Sequence, residues 1–175
     1  MRAALIHETG VLAIEFSPPK FGKFANTMQE KSLRSYGSRG KFSVQYATAR
    51  ALLDGAVRLR HFEGSAFEEP EIRRLLEITQ ARAHPGMADD AEQQWGAEVT
   101  VTLRNGQRLS RRVEQQVGRG GKSAMTRDEM WEKFEDCAGR FLPRERLREV
   151  FDILDGLESV GDVNELTRLH QPTTG

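Results

Sequence analysis

Cysteine occurs once in this sequence, at Cys137, among 175 residues. A single thiol excludes an intrachain disulfide framework and any zinc site made of several thiolates. An excess of one charge is also missing. Lys and Arg number 26 and Asp and Glu number 26, a formal balance of zero, which speaks against a protein that covers phosphates and so against nucleic acid as a partner. No apolar run approaches the roughly 18 residues needed to cross a bilayer. The opening MRAALIHETG places His7, Glu8 and Gly10 where a signal peptide would extend its apolar stretch. The expectation is a soluble, cytoplasmic chain with no membrane partner. The four histidines, His7, His61, His84 and His170, form no i, i+4 pair and no His-Glu-x-x-His run, so the sequence offers no metal centre. GRGGK at 118–122 has glycines and a lysine but not the spacing of a phosphate-binding P-loop.

What is present suits a thin but real core. Hydrophobic residues make up 38% and charged residues 30%, and mean hydropathy is −0.59, polar for a globule yet too rich in Leu, Val, Ile and Phe for disorder. The length fits one domain, or one and a part. Residues 2–8 read as a helix without a capping residue ahead of it. Alternation over 11–17 predicts a strand with Leu12, Ile14 and Phe16 on one face, stopped by Pro18 and Pro19. Residues 20–41 are polar and aperiodic, a long irregular connection of the kind that borders functional sites. In KFSVQYATARALLDG, Phe42, Tyr46, Ala49 and Leu53 recur at helical spacing, with Ser43 placed to cap the start and Gly55 the end. Two helical pieces begin at Ser65 and Pro70, the second carrying Ile72, Leu75 and Leu76. Residues 78–84 alternate as a strand. Val99, Val101 and Leu103 then alternate with threonines, and Asn105-Gly106 predicts a tight hairpin turn with two positive-φ residues, returning through Leu109 and Val113. Beyond a glycine-rich loop, Thr126 and Glu129 form a capping box for a helix that would bury Met130, Trp131, Phe134, Cys137 and Ala138. Pro143 opens another helix with Leu147, Val150, Phe151 and Leu154, and Asp162 caps a last one with Val163, Leu166 and Leu169. The tail helices have apolar faces but little core of their own.

Catalytic constellations are sparse. Cys137, on the apolar side of its helix, reads as a buried structural thiol. Arg108, Arg111, Arg112 and Arg119 make a basic stretch of the kind usually found on a solvated strand face, able at most to attract a carboxylate-rich ligand. Tyr46 stands one turn into a capped helix behind the long polar loop. Core packing is the commoner use of such a residue; the other is projection into a cleft at the helix N-terminus, where the dipole favours anions.

Five segments, ANTMQEKS at 25–32, GKFSVQYATARALLDG at 40–55, EEPEIRRLLEIT at 68–79, VTVTLRNGQRLSRRV at 99–113 and TRDEMWEKFEDCAG at 126–139, together resemble the C-terminal part of the MmgE/PrpD family. That family includes 2-methylcitrate dehydratase, cis-aconitate decarboxylase and iminodisuccinate epimerase. The resemblance implies an α+β fold: an antiparallel-sheet lid domain with flanking helices over residues 1–122, followed at 123–175 by helices of an all-α domain that is mostly absent. It implies a homodimer working without metal or other cofactor, and proton abstraction from a small polycarboxylate followed by elimination or decarboxylation. The tyrosine of the family's F-S-x-x-Y segment matches Tyr46, a phenol suited to donate to a carboxylate or a developing enolate, with Lys41 and Ser43 beside it as substrate-binding residues. The family's other active-site groups, an Asp and several His and Lys residues, belong to segments ahead of the part matched here. The resulting expectation is the C-terminal portion of a hydro-lyase, inactive without a separate N-terminal half. The alternative is a non-catalytic module that binds a carboxylate or a partner, or a vestigial fragment.

Overall fold

The computed structural model describes residues 10–17, 43–87, 96–118, 121–162 and 164. The expected helices at 2–8 and after Asp162 and the connection at 20–41 therefore lie outside, or almost wholly outside, the described residues. The chain divides into two compact units, Met1–Ser123 and Ala124–Gly175. The fold class is α+β.

In the first unit, β1 (Val11–Ser17), β2 (Thr79–Ala81), β3 (Ala97–Leu103) and β4 (Arg108–Val113) form a four-stranded sheet in the order β2-β1-β3-β4. Helices α1 (Val44–Asp54) and α2 (Pro70–Glu77) accompany it, with short 3-10 turns at Leu59–Phe62 and Ala66–Glu68. The sheet is mixed rather than antiparallel throughout. β1 runs antiparallel to β3 and β3 to β4, but β2 lies parallel to β1, with Ile14 opposite Thr79 and Phe16 opposite Ala81. Parallel pairing follows from the connection, since β2 leaves α2 directly and a helical crossover returns the chain in the same direction. β2 is three residues long instead of the expected seven.

β1 departs from simple alternation. Its register against β3 shifts between Val11 and Ala13, and this bulge inverts the parity of the faces. Val11 and Ile14 are buried while Leu12 is 57% exposed, so the expected Leu12–Ile14–Phe16 face is not the one used. The β3–β4 hairpin forms as read, with Val101 opposite Leu109, but its turn is of another kind. Gly106 donates to the Leu103 carbonyl at 2.9 Å and Leu103 to the Gln107 carbonyl at 2.8 Å. Gly106 has φ 86°, and no described residue other than glycine has positive φ. Asn105 therefore occupies an ordinary turn position and Gly106 alone supplies the left-handed bulge residue. The Asn105 side-chain oxygen secures the loop by accepting from Gln107 N at 2.9 Å.

The core joins Val11, Ile14, Val101 and Leu103 of the sheet to Tyr46 and Ala49 of α1 and Ile72 and Leu75 of α2. Each fully buried Ile or Leu contributes about 1.5–3 kcal/mol, and here they attach both helices to the sheet. α1 begins where Ser43 Oγ accepts the Tyr46 N–H at 3.2 Å and ends where Gly55, at φ 76°, donates to the Ala51 carbonyl.

In the second unit, α3 (Arg127–Ala138) starts at the expected capping box. Thr126 Oγ accepts from Glu129 N at 3.2 Å, and the Glu129 carboxylate accepts from Thr126 N at 2.8 Å. It meets α4 (Arg144–Asp155) through Trp131, Phe134 and Phe151, with ring centroids 5.1 Å apart for Trp131 and Phe151. Arg148 lies over Trp131 at 3.7 Å, and Arg127 bonds both Asp152 and Asp155. Leu147, Val150 and Phe151 are buried on α4, but no residue of α3 is. Cys137 is exposed and Met130 is 39% exposed, contrary to the sequence reading. Cys137 lies about a quarter turn off the middle of the Trp131–Phe134–Ala138 row, whose two rings meet Phe151 of α4, and Met130, one turn before Phe134, lies at the edge of that row.

Candidate functional site

α1 carries the residues of interest. Lys41 lies outside the described residues. Ser43 is the helix cap and 6% exposed, its hydroxyl accepting the Tyr46 N–H and donating to Gln45 Oε1 over a long 3.4 Å. No acidic side chain occupies the first turn, so no carboxylate of the helix's own first turn offsets the positive end of its dipole.

The Tyr46 ring points into the core. It is 2% exposed, stacks on Phe67 with centroids 4.3 Å apart and meets Phe62 edge-on at 5.7 Å. Its hydroxyl donates to the His61 carbonyl and accepts from Arg50 Nε at 3.0 Å. Burial pushes the phenol's pKa above its ordinary 10.0, outweighing the opposing pull of Arg50. Both ends of the hydroxyl are thus engaged within the domain.

The sequence reading missed Arg50. It stands four residues after Tyr46 on the same face of α1, inside the apolar stripe, and only 3% of its side chain is exposed. Its guanidinium takes a bidentate grip on Glu69, at 2.9 and 2.8 Å, reaches Asp54 at 3.3 Å and donates to the Ala66 carbonyl. Burial opposes its charge, and the bonds to Glu69 and Tyr46 more than restore it, raising its pKa. The same bonds hold the Glu69 carboxyl below its ordinary 4.5. Glu69 is the residue just before α2 and makes no capping bond there; its carboxylate serves Arg50 instead. A Tyr-x-x-x-Arg pair on an otherwise apolar face was the available signal, since a buried arginine needs an acceptor set.

His61 completes the cluster. It is 3% exposed, and its Nδ1 accepts the Arg58 N–H at 3.0 Å, which places the proton of the neutral ring on Nε2. Nε2 is 3.6 Å from Asp54 Oδ2, beyond hydrogen-bond reach, and has no partner. Burial lowers the pKa below 6.5, against the raising effect of Asp54. With its cation neutralised by two carboxylates, this network is built to fasten α1 to residues 61–69. It presents no free cation to a substrate carboxylate.

A second polar cluster sits on the hairpin. His84 Nε2 meets Glu98 at 2.8 Å, His84 Nδ1 accepts from Gly86 N at 3.0 Å, and Ser110 donates to Glu98. The acid stands between the histidine and the serine, so the serine has a carboxylate and not the imidazole beside it. Among the described residues no group of three or more His, Cys, Asp or Glu could hold a metal ion, and no helix is long and apolar enough to cross a membrane.

The mixed sheet, the two covering helices and the capped start of α1 define an α+β domain in which an F-S-x-x-Y segment opens the first helix. Residues 28–156 match the MmgE/PrpD C-terminal domain, and the chain belongs to the MmgE/PrpD family. It is similar to mouse cis-aconitate decarboxylase, 26% identical over 129 residues, which are 74% of this chain and 26% of that protein. It is also similar to the cis-aconitate decarboxylase-like protein oryM of Aspergillus oryzae, 26% identical over 164 residues, 94% of this chain and 33% of the relative. Human cis-aconitate decarboxylase matches at 26% identity over 129 residues, 74% of this chain and 26% of the human protein. The chain spans between about a quarter and a third of the length of these curated relatives.

Proposed function

We propose that this chain is the C-terminal-domain part of an MmgE/PrpD-type lyase that acts on a small polycarboxylate by proton abstraction at carbon followed by elimination or decarboxylation. The observation that carries this reading is the family match across residues 28–156. The names of the relatives make cis-aconitate the first substrate to try, and the family resemblance of the sequence adds 2-methylcitrate, the substrate of a dehydratase, as the second.

Turnover in this reading requires a helical domain contributed by further sequence. Abstraction of a carbon-bound proton needs a positioned base. Around α1 the candidates are spoken for: Asp54 and Glu69 serve Arg50, and His61 is buried with Nδ1 already accepting. Tyr46, with both hydroxyl bonds made inside the domain, acts as a positioning residue for α1. Ser43, another of the expected three, caps the helix start, and in this reading its turn is the part of α1 that receives a substrate carboxylate.

Co-expression with the N-terminal domain of the mouse relative tests the proposal. Formation of a complex that consumes cis-aconitate or 2-methylcitrate, with neither part active alone, is the expected result. A well-formed complex inert towards both acids would remove the lyase reading. A second reading, a carboxylate-binding module without turnover, is favoured by the fully engaged Tyr46 hydroxyl and predicts binding of the same acids without consumption.

A further inference from the structure

The amino-terminal turn of α1 contains a donor that nothing among the described residues uses. Gln45 is 6% exposed, and its side-chain Nε2 is buried without a hydrogen-bond partner. The orientation of that amide follows from the cap. Ser43 Oγ already accepts the Tyr46 N–H, so its own proton seeks an acceptor and finds Gln45 Oε1 at 3.4 Å. With the amide oxygen on the cap, the NH2 group is left beside the helix start. The backbone N–H groups of Val44 and Gln45, as the first in an 11-residue helix, have no acceptor within the helix. No acidic side chain of the first turn offsets the dipole, and the nearest buried cation, Arg50, is consumed by Glu69 and Asp54.

We propose that this turn is a carboxylate subsite, in which the Gln45 amide and the first backbone N–H groups of α1 hydrogen-bond one carboxylate of a small organic acid. Among the described residues the turn offers neutral donors and a helix end with no free cation, which suit a planar monoanionic carboxylate better than a phosphate dianion. Because Ser43 and Gln45 are both buried, bonds made there are screened little by water and count for more than they would at a surface. The proposal deepens the lyase reading and rests on it only for the identity of the acid as a substrate. Gln45 is then a binding residue beyond those the family motif marks.

The test is binding of tricarballylate, a saturated tricarboxylate that cannot react, to the purified chain, followed by 15N NMR and calorimetry. The expected result is a shift of the Gln45 side-chain NH2 and of the Val44 and Gln45 backbone amides, with no response to the neutral triamide. Gln45→Glu keeps the shape and replaces the donor by a negative charge, and should weaken binding tenfold or more near neutral pH. Gln45→Met removes the donor without adding charge and serves if the glutamate variant does not fold. Unshifted Gln45 resonances at millimolar tricarballylate, equal affinity in a folded variant, or preference for inorganic phosphate would each overturn the subsite. The lyase reading fails separately, by a complex with the helical domain that binds tricarboxylates and consumes none.

Discussion

Removing the guanidinium of Arg50 should expose how much of the first unit hangs on one side chain. Arg50→Met keeps most of the stem's volume but deletes the bonds to Glu69, Asp54, Tyr46 and the Ala66 carbonyl. Breaking a buried ion pair by removing one partner costs about 3–5 kcal/mol when the other charge stays buried. Here the two carboxylates have a way out, with 52% of the Glu69 side chain and 28% of the Asp54 side chain exposed, so the cost falls to about 2–3 kcal/mol. Glu69→Gln leaves the guanidinium buried with Asp54 as its remaining carboxylate partner, and should cost about 1 kcal/mol after allowing for solvent around Glu69. In the double variant the amide at position 69 faces no guanidinium, so the combined cost should fall short of the sum of the singles by about 1 kcal/mol. Urea denaturation followed by far-UV circular dichroism reads all three values, and each kcal/mol corresponds to about 4–8 °C in Tm for a small domain. The pH dependence gives an independent reading. Glu69 has its carboxyl held below 4.5 in the folded state, so its contribution is fully present above that value and is lost as pH falls through the lowered one. Wild type should therefore lose stability more steeply than Glu69→Gln in acid. Strict additivity of the two substitutions, or an Arg50→Met protein as stable as wild type, would refute the clamp.

Tyr46→Phe leaves Arg50 Nε and the His61 carbonyl unpaired beside a preserved ring stack, and should destabilise the domain by about 1–3 kcal/mol in thermal melts. It should weaken tricarballylate binding less than Gln45→Glu does. His61 is held neutral by burial, its pKa below 6.5. The unfolded chain gains the proton first, so stability should decline as pH drops below about 6.5 and flatten beneath the folded-state pKa. His61→Gln should remove that slope, as measured by urea midpoints at successive pH values. Thr126→Ala deletes the α3 cap and should cost about 0.5–2 kcal/mol of helix stability, detectable as faster amide exchange over the first turn of α3 with the 43–87 region unchanged.

Reading from sequence succeeded where a local device settles the structure. Ser43 and Gly55 bracket α1 as their chemistry requires, and the Thr126–Glu129 box opens α3. It failed where a long-range partner decides. The faces of β1 depend on a bulge set by its pairing with β3, so Leu12 turned outward although alternation placed it inside. β2 is parallel because of where the helical crossover delivers it, which no pattern within TQA encodes. The Asn105-Gly106 pair marked the hairpin correctly and the turn type wrongly, because one positive-φ glycine suffices when the loop is a residue longer. At the site, the motif drew attention to Tyr46 while the decisive polar residue, Arg50, went unread. Its burial depends on Glu69, nineteen positions on, and pairwise chemistry at that distance leaves no periodic trace.

The place of β1 in the sheet has a consequence for biosynthesis. It precedes the other described strands in the chain yet occupies an interior position, Ile14 facing Thr79 on one side and Val101 on the other. When VLAIEFS leaves the ribosome neither neighbour has been made, and a β-prone run with a single charge waits with two bare edges until β2 emerges and with one until β3 does. Products that stop short of Leu103 should consequently collect in inclusion bodies, while chains completed through the hairpin escape that fate.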